Sequence, residues 1–192
     1  MTLKQTPSQT VGPYFAYGLT PKQYGYPFKE LAGGDLTTPD TEGERIRIEG
    51  CVYDGEGNTV PDAMIEIWQA DAQGRYAHPN DPRSSNSTFK GFGRFGTGTD
   101  KQDRFIFDTI KPGSVDGEQA PHISVIIMMR GLLSHTFTRI YFSDEEAANA
   151  RDAVLNSVEE SRRDTLIAKR EGSVYRFDIR MQGDDETVFF DV

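Results

Sequence analysis

Apolar and polar residues alternate along most of the chain beyond residue 45, a pattern typical of β-strands. Ile46, Ile48 and Val52 alternate with polar residues before a turn at 54–58. Since successive side chains of a strand point to opposite faces, this alternation predicts a half-buried strand. Seven more segments rich in Ile, Val, Phe and Tyr are predicted as strands: 64–70, 104–107, 123–129, 136–142, 165–169, 174–181 and 187–190.

Only one segment carries the signals of a helix. Ser143 or Asp144 can cap its start, Glu145 and Glu146 complement the helix dipole, and a run of alanines continues it to Leu155. Eight strands and one short helix predict an all-β fold, a β-sandwich.

The first 44 residues lack periodicity and contain many Pro, Gly, Thr and Tyr residues. This composition predicts a long extended N-terminal arm, residues 1–44, attached to a sandwich domain of residues 45–192. We expect a single domain overall. An arm of this length needs a surface to lie on, which can be the chain's own sandwich or a partner subunit.

Composition narrows the function and the compartment. A net charge of −9 with a pI near 4.8 argues against nucleic acid or an anionic membrane as a partner. Cys51 is the only cysteine, so no intrachain disulfide can form and a reducing compartment is indicated. The first residues lack an apolar signal core, and the longest apolar run, 125–129, is too short to span a bilayer. We therefore expect a cytoplasmic protein.

Several enzyme classes lack their required motifs. The sequence has no Gly-x-Ser-x-Gly elbow, and no glycine-rich phosphate loop precedes a helix. The run Gly91-Phe92-Gly93-Arg94-Phe95-Gly96 has the glycine content of a dinucleotide fingerprint but no predicted strand before it or helix after it. We interpret it as a flexible loop.

Metal chemistry is the remaining candidate. The three histidines are His78, His122 and His135, and no pair has helical or zinc-finger spacing. His122 and Ser124 would lie side by side on one strand face, but a neutral serine hydroxyl is a poor partner ligand. A structural histidine is therefore the simpler interpretation. Tyr76 favours a metal site slightly, because a phenolate suits a ferric ion, although it can equally be a packed loop tyrosine.

Three motifs in order carry a resemblance to a known family. They are Trp68-Gln69-Ala70-Asp71 with Gly74-Arg75-Tyr76, then Thr109-Ile110-Lys111-Pro112-Gly113, then Pro121-His122-Ile123. In this order and spacing they resemble the intradiol ring-cleavage dioxygenases. The stretches 6–14, 129–131 and 175–180 narrow the resemblance to alpha chains of heteromeric members, and it covers essentially the whole sequence. The fold implied is the β-sandwich of that family.

The resemblance implies a damaged metal site. Catalytic members hold a non-haem Fe(III) with two tyrosines and two histidines, and activate a catechol for attack by O2. Tyr76 and His122 match the first tyrosine and the first histidine. Val115 and Ser124 stand where the second tyrosine and histidine would be, and Gln119 stands where catalytic chains have an arginine. The resemblance therefore implies that this chain binds no metal and has no catalytic residues of its own.

The same resemblance implies a partner. A homologous beta chain would bind the Fe(III), and the complex would cleave protocatechuate with O2 in aromatic catabolism by the β-ketoadipate pathway. The implied substrate-binding residues at the interface with the beta chain are Thr10, Gly12, Pro13, Tyr14 and Arg130. An arginine there suits an anionic substrate. Without the resemblance, Arg130 would be interpreted as a simple ion-pair partner at a strand end.

Two other functions stay open. One is a self-contained metalloenzyme that uses Tyr76 and His122 with His78 or His135. The other is a non-catalytic β-sandwich scaffold that has kept the fold alone.

Overall fold

The structure is a computed structural model that describes residues 10, 12–83 and 89–192, without the side chains of Pro13 and Tyr14. It is built mainly of strands, as the sequence predicts. The strands are β1 (Arg45–Tyr53), β2 (Met64–Gln69), β3 (Phe92–Gly96), β4 (Arg104–Ile110), β5 (His122–Met128), β6 (Thr136–Phe142), β7 (Ile167–Glu171), β8 (Val174–Arg176) and β9 (Ile179–Arg180).

These strands form a nearly closed sheet that folds into a sandwich. The strand order is β3-β2-β5-β6-β7-β8-β1-β4, and β9 pairs with β1. Most neighbours are antiparallel, whereas β6–β7, β1–β8 and β1–β9 are parallel. Alternate residues of each strand point inward, so both layers contribute to one core. Its fully buried members include Ile48, Ile65, Phe107, Ile123 and Ile127.

The predicted loop at 91–96 is wrong, because Phe92–Gly96 forms the edge strand β3 against β2. Its glycines conceal the strand pattern but serve its packing. A Cβ at Gly93 would lie 2.7 Å from Leu36 and 3.1 Å from the Phe107 ring. The small residue therefore lets two core side chains fill the space beneath β3.

The end of the chain also differs from the prediction. The predicted strand 174–181 is divided into β8 and β9, and the predicted strand 187–190 contributes only a bridge between Phe190 and Phe137. The division has a local cause: the Asp178 carboxylate accepts the backbone N–H of Cys51 at 2.9 Å. A side-chain acceptor thus replaces a main-chain carbonyl between the two short strands.

The helices are short and more numerous than predicted. The extended conformation expected for residues 1–44 is wrong at α1 (Pro13–Leu19) and at a 3₁₀ helix, Pro21–Tyr24. Proline occupies the first turn of both, where its missing N–H costs nothing. Other 3₁₀ helices are Thr97–Thr99 and Glu160–Leu166. Within the described ranges, no helix is long and apolar enough to cross a membrane.

The single helix predicted from residue 143 to residue 155 is interrupted. It forms α2 (Glu146–Asn149) and α3 (Ala153–Ser157), and Asp152 caps the second with a carboxylate oxygen 2.8 Å from the Leu155 N–H. Neither Ser143 nor Asp144 caps α2, which starts after Glu145. The interruption places the fully buried Asp152 where it also binds Tyr141 and the Ala120 N–H.

Candidate functional site

The predicted metal-site residues lie at the start of β5. His122 and Ser124 are alternate residues of this strand and therefore share the face opposite the core. Ser124 lies between Trp68 on β2 and Arg139 on β6, and His122 is opposite Tyr141. We call the group of Tyr76, Val115, Gln119, His122 and Ser124 the His122 end of the molecule.

Two loops complete the His122 end, and Gly74 brings them together. Gly74 has a φ of +73°, and a Cβ there would lie 1.9 Å from the Ser114 carbonyl oxygen. Only glycine allows this approach, which packs the loop carrying Tyr76 against the loop carrying Val115. The Tyr76 ring then stacks on Trp68, with centroids 5.6 Å apart and planes at 10°.

The two possible ligands at this end are both neutral near pH 7. Burial lowers the pKa of His122, and the positive charge of Arg139 lowers it further. Its Nδ1–H donates to the Ala120 carbonyl oxygen at 2.8 Å, which leaves Nε2 as the unprotonated nitrogen. Burial raises the pKa of the Tyr76 phenol, so it stays protonated.

A guanidinium group lies among these residues. Arg139 donates to the Gln119 side-chain oxygen at 3.1 Å and lies 3.4 Å from the Tyr141 hydroxyl. The sequence interpretation missed Arg139. It could have been found from the sequence, because it is the one charged residue in the predicted strand Thr136–Phe142. Antiparallel pairing of that strand with the strand of His122 places it opposite Ser124.

The donor set does not fit a ferric ion. Tyr76 and His122 supply two donors, Val115 supplies none, and the Ser124 hydroxyl is a weak ligand. A guanidinium directly opposite Ser124 would also repel a bound cation. This end can instead bind neutral or anionic groups.

The other two histidines do not extend the set. His78 is exposed and accepts the Asn80 N–H at 3.1 Å, and His135 is exposed with its ring 4.7 Å from the Phe137 ring. Across the described part of the chain, no three His, Cys, Asp or Glu side chains are grouped so that they could hold a metal.

The predicted interface residues lie beyond the other end of β5. Arg130 is 66% exposed, and its Nε forms an ion pair with the Asp62 carboxylate. Thr10 donates to the carbonyl of Met129, the residue before Arg130, at 3.4 Å. Gly12 lines a small cleft together with Asp62. We call Thr10, Gly12, Asp62 and Arg130 the Arg130 end.

Pro13 and Tyr14 begin α1, directly after Gly12, but their side chains lie outside the described part of the structure. The sequence interpretation missed Asp62. The contact between Asp62 and Arg130 depends on the pairing of β2 with β5. This pairing places Met64 opposite Met128 and so brings together the residues that flank these strand ends.

The two ends are far apart in the same chain. Ser124 and Met128 are four strand positions apart, about 13 Å, and Arg130 lies two residues beyond Met128. Arg130 therefore cannot bind a small molecule held beside Tyr76 and His122 of its own chain.

The arm near the Arg130 end exposes a row of aromatic residues. Tyr17, Tyr24, Tyr26 and Phe28 form a chain of ring contacts with centroids 4.9–5.8 Å apart. Phe28 is 62% exposed, and the nearby Leu31 is 86% exposed. A cluster of large apolar side chains at the surface is typical of a protein–protein contact.

Comparison with known proteins gives extended matches. A family model described as Dioxygenase matches residues 12–183. The chain is 57% identical over 196 residues to the protocatechuate 3,4-dioxygenase alpha chain of Burkholderia cepacia, covering 100% of this chain and 99% of that one. It is 45% identical over 199 residues to the alpha chain of Pseudomonas putida, covering 98% and 97%.

The chain is also similar to a beta chain and to a solved dioxygenase domain. The protocatechuate 3,4-dioxygenase beta chain of B. cepacia is 34% identical over 161 residues, covering 76% of this chain and 67% of that one. The dioxygenase domain of a carbohydrate-binding fusion protein from Streptomyces sp. SirexAA-E superposes with a TM-score of 0.61 at 21% identity, covering 95% and 100%. The similarity to this solved structure confirms the predicted fold class.

Proposed function

Since the chain belongs to the intradiol ring-cleavage dioxygenase family, we propose that it is the alpha subunit of a protocatechuate 3,4-dioxygenase. The complex opens the ring of 3,4-dihydroxybenzoate between its two hydroxylated carbons. Both atoms of O2 enter the product, 3-carboxy-cis,cis-muconate. The full-length matches to two alpha chains support this assignment over assignment as a beta chain, which matches over a smaller part at lower identity.

The proposal assigns the iron to a homologous beta chain. It is supported by the donor set of the His122 end, where Val115 and Ser124 leave two ligands missing and Arg139 adds a positive charge. A site with half of its ligands should lose nearly all of its ferric affinity, because the remaining ligands bind only weakly on their own.

The observation that carries the proposal is the separation of Arg130 from the His122 end of its own chain. An exposed arginine that cannot reach the cavity of its own chain can contact a ligand bound by a neighbouring chain. The ion pair with Asp62 is made at Nε, and the exposed guanidinium also carries two terminal nitrogens. They can bind the carboxylate of protocatechuate through two parallel hydrogen bonds.

The arm, residues 1–44, is proposed to lie against the beta chain. Thr10 and Gly12 are already placed beside Met129 and Asp62. Pro13 and Tyr14 follow at the start of α1. Together with Arg130, these residues would line the mouth of the partner's active site. The exposed aromatic row of the arm would supply apolar contact area to the same interface.

Reconstitution tests this function. The chain and the beta chain are purified separately, then assayed for O2 uptake with protocatechuate alone and after mixing, with assembly followed by sedimentation. We expect full activity only in the mixed complex. Full activity of the beta chain alone, together with assembly that changes neither kcat nor KM, would favour a non-catalytic scaffold.

A further inference from the structure

A cavity of about 610 Å³ opens on the outer face of the sheet beside Ser124, the member of the His122 end that lines it. Its wall is mainly apolar and aromatic, and includes Trp68, Phe92, Ile126, Phe137 and Phe190. Ser124 and Arg139 supply polar groups to the same wall. A cavity of this size accepts a single-ring organic molecule, and flat aromatic walls favour a flat aromatic ligand.

The Arg139 guanidinium makes few hydrogen bonds to described residues. One terminal nitrogen donates to the neutral Gln119 side chain and lies near the Tyr141 hydroxyl. Within the described part of the chain, its other nitrogens have no hydrogen-bond acceptor and no carboxylate forms an ion pair with it. A half-buried guanidinium without an anionic partner is poorly compensated, and a carboxylate would complete it.

The nearby acidic groups of the described residues form no direct ion pair with Arg139. Asp152 accepts hydrogen bonds from the Tyr141 hydroxyl and from two backbone N–H groups, and Asp116 accepts from Gln119. Glu66 lines the cavity, but its carboxylate oxygen accepts two hydrogen bonds from Arg94, at 2.5 and 2.7 Å. Asp191 also lines the cavity, and it is exposed, so solvent screens its charge. Among the groups that line the wall, Arg139 is therefore a positive charge that no carboxylate of the described residues pairs with directly.

We propose that this cavity is a second small-molecule site, which binds an aromatic carboxylate with its ring against Trp68 and its carboxylate on Arg139. The proposed complex places one carboxylate on the unused guanidinium nitrogens in a bidentate contact. The Ser124 hydroxyl, directly across from Arg139, can donate to the same ligand. The site is independent of Arg130 and of any iron.

The chain contains its own reporter for this site. Trp68 is the only tryptophan in the sequence and lines the cavity, so its fluorescence responds to a ring bound against it. Benzoate is titrated into the full-length chain, and benzamide, a neutral molecule of the same shape, is titrated as the control. We expect saturable quenching by benzoate and at least about tenfold weaker binding of benzamide.

Two variants separate the guanidinium from the rest of the protein. Arg139→Gln keeps a polar side chain without charge and should weaken benzoate binding at least about tenfold, whereas Arg139→Lys should restore part of it. Arg130→Gln, at the other end of the molecule, should leave the titration unchanged. Equal affinity of benzoate and benzamide, or an unchanged titration for Arg139→Gln, would overturn the proposal.

A second measurement uses the assembled complex and does not require the isolated chain to fold. Fluorine NMR of 4-fluorobenzoate distinguishes a ligand near a paramagnetic ferric ion, whose signal is broadened, from one bound far from it. We expect a sharp bound signal that disappears with Arg139→Gln and persists with Arg130→Gln. Absence of any sharp bound signal that depends on Arg139 contradicts the second site. Neither result depends on whether Arg130 contacts protocatechuate.

Discussion

The His122 end and the Arg130 end share β5 but differ in what they retain. At the His122 end, the close approach at Gly74 packs two loops together and Tyr76 stacks on Trp68, while the metal donors are incomplete. At the Arg130 end, an exposed guanidinium is held by Asp62 beside the arm. One strand therefore carries an incomplete set of metal donors at one end and an exposed charged side chain beyond the other.

The largest expected effect comes from breaking the loop approach at the His122 end. Gly74→Ala adds a Cβ 1.9 Å from the Ser114 carbonyl oxygen and places a non-glycine residue at a φ of +73°. We expect the free energy of unfolding to fall by about 3 kcal/mol, measured by urea denaturation.

Gly172→Ala is the matched control for this change. Gly172 also has a positive φ, +68°, but nothing lies within 4 Å of an added Cβ. Its loss should be about 1 kcal/mol, from backbone strain alone. Equal losses in the two variants would show that the approach between the two loops contributes nothing.

The Arg130 end is tested by Arg130→Ala in the assembled complex. Because the proposed contact is to substrate rather than to metal, kcat/KM for protocatechuate should fall roughly 10- to 100-fold with iron content unchanged. Arg47→Ala, which breaks an exposed ion pair with Asp108, is the control. Unchanged kcat/KM in the Arg130 variant would remove the proposed role of this end.

A third effect concerns the ion pair between Asp144 and Lys111, which lies four residues before Val115 in the chain. Burial opposes ionisation of Asp144, but hydrogen bonds from Lys111, Arg170 and Tyr175 outweigh it and lower its pKa to about 2. The folded pKa lies below the ordinary 3.8, so this stabilisation is complete above about pH 4 and is lost as the pH falls towards 2. Asp144→Asn should cost roughly 2 kcal/mol at pH 7 and flatten the acid limb of the stability curve.

The control for this pH dependence is Asp108→Asn. Asp108 pairs with Arg47 at the surface, with both side chains nearly half exposed. Its loss should change stability by less than about 1 kcal/mol. A steep acid limb that survives in the Asp144 variant would refute the assignment.

The smallest expected effect is the restoration of missing ligands. Val115→Tyr with Ser124→His supplies the absent donor types, yet the charge of Arg139 remains opposite residue 124. We therefore expect iron uptake well below one ion per chain by elemental analysis. Adding Arg139→Gln should increase it. Equal uptake by the double and triple variants would show that Arg139 does not oppose a metal.

The sequence predicts most of the sandwich because alternating strands such as β1 and β5 carry their pattern locally. It misses β3, where glycines that make room for Leu36 and Phe107 remove the alternation. It also misses the break between α2 and α3. Asp152, the N-cap of α3, is held by Tyr141 and by the Ala120 N–H, which are distant in sequence.

The candidate site residues also fall into those that local sequence motifs predict and those that depend on strand pairing. Tyr76 and His122 are found from local motifs, and the structure places them at one end of β5. Arg139 and Asp62 are missed because their roles come from the pairing of strands rather than from neighbours in sequence. The roles of Thr10, Gly12, Pro13, Tyr14 and Arg130 at a beta-chain active site remain predictions.

The most direct test of the account is the iron content and visible absorption of this chain, purified alone and then assembled with its beta chain. We predict no iron and no colour for the chain alone. The complex should contain one iron per alpha–beta pair and show a ferric–tyrosinate absorption. One stoichiometric iron in the isolated chain, together with ring-cleavage activity, would contradict the account and identify a self-contained metalloenzyme.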